Sequence, residues 1–247
     1  MITFGLVKGP ALGETDRLLA WLKENAGLDV ERRAADSYEA LAGDAREGKV
    51  DVAWLPPIVF VRLGDAVTSL ASIVRGGKSS YEAALIVPAS SRIKSIEGLR
   101  GSRAGWVDRW SASGFVLPRM KLALLGVDPR TVFRTETFYG SHEQTIEAMV
   151  EGRCDVVGTH EGAWNDIAGA DVRVLATFGE IPPDVLAVRS SLDDALRARI
   201  LEGLKKEGAK PMLRAIFGGD EVRDGLAEGY EGLKSALESA SARGLFD

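Results

Sequence analysis

Short apolar runs alternate with amphipathic stretches along most of the chain. Ile2-Thr3-Phe4-Gly5-Leu6-Val7 and residues 30–34 have strand character, residues 38–47 space their apolar positions as a helix does, and residues 52–55 return to a strand. The rhythm continues past residue 170. This alternation predicts α/β architecture with mostly parallel sheets flanked by helices, because two parallel strands need a crossover connection. After residue 190 the pattern changes, and residues 192–206, 209–217 and 222–240 read as helices packed outside a lobe.

The chain also repeats itself. Ser37-Tyr38-Glu39 followed by Glu47-Gly48-Lys49-Val50-Asp51-Val52 returns, 104 residues later, as Ser141-His142-Glu143 followed by Glu151-Gly152-Arg153-Cys154-Asp155-Val156. A second echo pairs Gly5-Leu6-Val7 with Gly105-Trp106-Val107. In each copy a glycine ends a helix, where left-handed backbone favours it, and the next apolar run starts a strand. Asp51 and Asp155 stand where a carboxylate satisfies backbone donors at a strand start. Two related lobes follow: residues 1–84 with 183–247, and residues 85–182, joined by two crossings that would form a hinge. Open parallel sheets bind ligands beyond the carboxyl ends of their strands, so the helix-opening Tyr38 and His142 would both face the gap between lobes.

Residues 104–107 run into Asp108-Arg109-Trp110-Ser111-Ala112-Ser113-Gly114, and residues 115–125 then have helical periodicity. Free first-turn amides, the helix dipole and two hydroxyls would hold an oxyanion there without a lysine. A serine before a helix is also an ordinary N-cap, and that reading stands beside the first. His142 could donate to an anion or merely open a helix. His160 beside Glu161 lacks the H-x-x-x-H or C-x-x-C spacing of a metal site, so neither metal nor cofactor is expected. Tyr38 and Tyr81 suit half-buried positions or a cleft, and Asp184 follows the rigid Ile181-Pro182-Pro183.

A length of 247 residues, with 45% hydrophobic and 27% charged, suffices for one large core or two modest ones. The net charge of −5 and the lack of a basic stripe argue against nucleic acid. The single cysteine, Cys154, reads as a small buried strand residue. No nucleophile elbow or cysteine–histidine pair offers a catalytic centre, so no enzymatic activity is expected. Met1 is followed directly by a strand-like run. Export would therefore require a leader to have been removed, and Met1 as the native start would place the protein in the cytoplasm.

These features resemble the phosphonate and phosphite solute-binding family of ABC transporters, whose fold is the type II periplasmic-binding clamshell. The resemblance spans residues 1 to about 205 and rests on particular segments. These are Asp36-Ser37-Tyr38 with Val50-Asp51-Val52-Ala53-Trp54, Tyr81 ahead of Leu85-Ile86-Val87, and Ser111-Ala112-Ser113-Gly114 with Pro118. Gly140-Ser141-His142-Glu143 and Ile181-Pro182-Pro183-Asp184 complete them. The resemblance implies that Ser111, Ser113, the Ala112 and Gly114 amides and His142 hold the oxyanion, with hydroxyls from Tyr38 and Tyr81. It implies that Glu161 and Asp184 meet an amine on amino-phosphonates. Ala112 stands where the family's turn carries another hydroxyl, and Pro56 where it commonly has glycine.

The expectation is capture of a phosphonate-like oxyanion by lobe closure, as a monomer that delivers to a transporter permease if exported. A cytoplasmic enzyme or a ligand-sensing module on the same fold are the alternatives.

Overall fold

The computed structural model describes residues 1–9, 12–75, 80–165 and 167–246. The chain divides into two compact units, Met1–Ser80 with Pro182–Tyr230, and Tyr81–Ile181 with Glu231–Asp247.

The first unit holds β1 (Ile2–Val7), α1 (Leu12–Ala26), β2 (Val30–Ala35), α2 (Tyr38–Arg46), β3 (Val52–Leu55), α3 (Pro57–Leu63) and β4 (Val67–Val74). It resumes with β10 and β11, described below. In the second unit run β5 (Tyr81–Pro88), β6 (Arg103–Trp106), α4 (Leu117–Leu124), β7 (Thr135–Phe138), α5 (His142–Val150), β8 (Val156–His160) and β9 (Val172–Ile181). The chain then returns through β10 (Val185–Arg189), α6 (Asp194–Lys205), α7 (Lys210–Phe217) and β11 (Glu221–Asp224), and ends in α8 (Tyr230–Ala242).

Burial explains these choices of element. Thr15, Leu18, Leu19 and Leu22 of α1 recur at helical spacing and are buried. They pack with Ile2, Phe4 and Leu6, which alternate along β1, and with Leu213, Ile216 and Phe217 of α7. Each such side chain contributes about 1.5–3 kcal/mol on leaving water. In the second unit, residues 83–87 of β5 are all buried, as expected of a central strand covered on both faces.

The sheet orders are β11-β4-β10-β3-β1-β2 and β7-β6-β8-β5-β9. Within them the repeat is reproduced residue by residue. Gly5 pairs with Arg33 and Ala53, and Gly105 with Thr137 and Val157, all in parallel ladders. Ser37 and Ser141 both cap their helices by accepting from the amide three residues on. Asp51 accepts from the Thr3 amide and Asp155 from the Arg103 amide, each at 2.8 Å. A Cβ on Gly5 would meet Val50, and one on Gly105 would meet Cys154, each at 2.8 Å.

Three expectations are corrected. The sheets are mixed rather than mostly parallel, because β10 runs antiparallel to β3 and β4, and β5 antiparallel to β8 and β9. Residues 222–240 are not one helix: Val222 lies in β11, and Gly225 and Gly229, both at positive φ, separate it from α8. The last segment belongs to the second unit rather than the first. Arg119 donates to the Leu245 carbonyl at 2.6 Å, Arg109 donates to that of Phe246 at 3.0 Å, and the Phe246 ring packs on Phe115. The other boundaries fall at 80/81 and 181/182, close to those read from the sequence.

Candidate functional site

The turn after β6 is built from side chains that hold one another. Asp108 accepts from the Trp110 amide through its carboxylate (2.7 Å) and from the Ser111 amide through its carbonyl (3.0 Å). Residues Ala112–Val116 then form one π-helical turn that leads directly into α4. The Val116 amide reaches back to the Ser111 carbonyl and the Leu117 amide to that of Ala112. Such widened turns recur at functional sites because they re-aim the backbone.

Serine and glycine make this turn possible. The Ser111 hydroxyl accepts from the Gly114 amide at 3.0 Å, so that amide, expected to face a ligand, is already engaged. The same hydroxyl keeps its own hydrogen to donate. A Cβ on Gly114 would lie 2.4 Å from Val107, and one on Gly158 would lie 2.8 Å from the Trp106 ring and 3.2 Å from the Gly114 carbonyl. Glycine at both positions thus lets the turn lie against β8. Ser111 and Ser113 are 3% and 2% exposed. The Ala112 and Ser113 amides fall in the first turn of the helix, where no intrahelical acceptor exists.

A second group collects nearby in the sheet, at the end of β8. His142, the first residue of α5, places Nδ1 2.8 Å from the Thr159 hydroxyl. Its ring meets His160 edge to face, with centroids 4.6 Å apart, and His160 in turn meets Tyr81, the first residue of β5, at 6.2 Å. Nδ1 of His160 donates to the Glu161 carbonyl at 3.1 Å, and the Glu161 amide donates to the Glu82 carbonyl. Glu161 itself is exposed. Among the described residues no three His, Cys, Asp or Glu side chains are grouped to hold a metal ion.

Tyr38 and Asp184 lie in the first unit. Tyr38 opens α2, the counterpart of His142 on α5. Asp184 is 8% exposed and its carboxylate receives the Arg75 guanidinium at 2.8 Å, so its charge is met within the protein. Sequence reasoning weighed His160 only as a metal ligand and passed over Thr159. Both stand at the carboxyl end of a parallel strand, the end where such sheets bind ligands, and that position was the available signal.

The profile of the family described as ABC transporter, phosphonate, periplasmic substrate-binding protein matches residues 13–230. The chain belongs to that family. Its members are the solute-binding components of transporters rather than enzymes. The fold agrees across large structural distances. The binding protein component of an ABC phosphonate transporter from Pseudomonas aeruginosa is 20% identical, with a TM-score of 0.83 over 99% of this chain and 93% of that one. PhnD1 of Prochlorococcus marinus, solved in complex with methylphosphonate, is 16% identical, with a TM-score of 0.83 over 97% and 98%. A Xanthomonas citri protein solved with ATP is 19% identical, with a TM-score of 0.80 over 98% of each chain. The binding protein therefore has the type II periplasmic-binding fold, with two mixed sheets flanked by helices.

Proposed function

We propose that this solute-binding protein captures a small phosphonate-type oxyanion and performs no chemistry on it. The observation that carries the reading is the buried turn at Ser111–Gly114. It offers the Ser111 hydroxyl hydrogen, the Ser113 hydroxyl and the first-turn amides of Ala112 and Ser113 at the carboxyl end of β6. Several neutral donors and a helix dipole stabilise an anion without a counter-charge. Gly114 serves by its missing Cβ, not by its amide. His142 adds a donor and Tyr81 a hydroxyl, while Glu161 is placed to meet a cationic group on the solute.

The parts assigned to Tyr38 and Asp184 rest on the repeat and on the family rather than on any measured distance, and the ion pair with Arg75 weakens the case for Asp184. Capture by closure of the two units, delivery to a permease, a periplasmic setting and a monomeric state are the expectations that accompany the family.

A thermal-shift series with methylphosphonate, 2-aminoethylphosphonate, phosphite, phosphate, sulfate and small carboxylates tests this reading. Ligand at about 100 times its dissociation constant adds about 2.7 kcal/mol. A rise with a phosphonate alone supports the reading, and no rise with any phosphonate defeats it.

A further inference from the structure

The two imidazoles at the end of β8 are chemically unlike, and their neighbours fix the difference. Nδ1 of His160 faces the Glu161 carbonyl at 3.1 Å. A carbonyl only accepts, so the ring hydrogen sits on Nδ1, and Nε2 of the neutral ring is an acceptor. Nδ1 of His142 faces the Thr159 hydroxyl at 2.8 Å. Thr159 is 0% exposed and its hydroxyl has no other acceptor among the described residues. Donation to the imidazole satisfies that hydroxyl, and it leaves His142 with its hydrogen on Nε2. The rings are held edge to face at 68°. One ring is thus set as a donor and the other as an acceptor.

We propose, resting on the phosphonate reading, that this pair selects an oxyanion carrying one acidic proton. Nε2–H of His142 donates to one ligand oxygen, and Nε2 of His160 shares the proton of a P–O–H group on a second. His160 is then a specificity-determining residue that separates phosphonates from sulfonates. A sulfonate at neutral pH has no acidic proton to offer, and its oxygen would meet the imidazole lone pair unpaired. Specificity arises here from a mismatch against the wrong ligand as much as from attraction to the right one. The titratable groups around His160 are His142 on α5, Tyr81 on β5 and Glu161 in the turn that follows β8. Tyr81 packs edge to face on the ring, so these groups leave the shared proton as the means of neutralising the contact.

Calorimetric titration of the full chain with methylphosphonate and methanesulfonate, repeated in buffers of differing ionisation enthalpy, tests the proposal. Above the second ionisation of methylphosphonate, wild-type protein should take up a proton on binding it, and should prefer it to methanesulfonate. His160→Phe retains a ring against Tyr81 and His142 but lacks both nitrogens. It should abolish the proton uptake and erase about tenfold of the preference, roughly one hydrogen bond to a charged group. His160→Gln, which restores an acceptor, should recover part of both. Methylphosphonate binding without proton uptake by the wild type would overturn the proposal even if no variant folds. An unaltered preference in a folded His160→Phe protein would do the same. Failure of the wild type to bind any phosphonate would overturn the functional reading as well, which separates the two failures.

Discussion

The two units share one β-α-β frame and part company at a single turn. In the first, β1 passes through Lys8 and Gly9 on the surface to α1, a 15-residue helix that buries its apolar stripe in the core. In the second, β6 passes into a buried turn where Asp108, Ser111 and Gly114 bond to one another, and α4 runs for only 8 residues. The caps, the strand-start aspartates and the pairing registers match on both sides. What is common to the copies is therefore scaffold, and what differs marks where the second unit was fitted to a ligand.

That contrast can be broken most forcefully at Arg119. It is 1% exposed, pairs with Glu136, donates to the Leu245 carbonyl and lies over the Phe115 ring at 5.1 Å. Arg119→Met should cost about 2–4 kcal/mol in denaturant unfolding, somewhat below the loss of a fully buried pair because Glu136 is partly exposed. A loss within experimental error would mean that the terminal segment does not support the turn.

Glycines sharpen the comparison next. Gly114→Ala should cost about 1–3 kcal/mol through overpacking and should impair oxyanion binding. Gly13→Ala, in α1, meets nothing within 4 Å. It should raise stability by about 0.5–1 kcal/mol, as alanine does in an open helix site. Equal outcomes would show that the turn is not tightly packed. The two caps offer a symmetrical control: Ser37→Ala and Ser141→Ala should each cost about 1 kcal/mol, with thermal midpoints shifted alike.

Cys154 gives the smallest effect. Burial pushes its thiol up to about 11, with neighbouring Asp155 acting in the same direction. At neutral pH it should resist thiol reagents until the protein unfolds, because the thiolate is the reactive form. Cys154→Val, which installs the residue standing at Val50 in the other unit, should cost less than about 1.5 kcal/mol. Rapid labelling of folded protein would show that β8 opens locally.

Much of this could be read before any coordinates. Helix caps, glycine stops and strand-start aspartates are local devices, so the 104-residue repeat carried over into identical register. The antiparallel strands could not be read that way. An apolar run such as Ala84-Leu85-Ile86-Val87 states that a strand is buried, and nothing in it states which way its neighbour runs. The expected helix over residues 222–240 failed for a related reason, since β11 exists only because β4 offers it an edge.

For the candidate site, the amino-acid sequence by itself determined that Ser111 to Gly114 open a helix after a strand and that His142 opens another, since capping and periodicity act within a few residues. Only the tertiary structure decided that Gly114 lies against Gly158 and that Thr159 and Glu161 orient the two imidazoles. It also decided that the chain terminus backs the turn. Those relations join residues far apart in sequence, and they are set by how closely packed surfaces approach and which polar groups must be satisfied on burial.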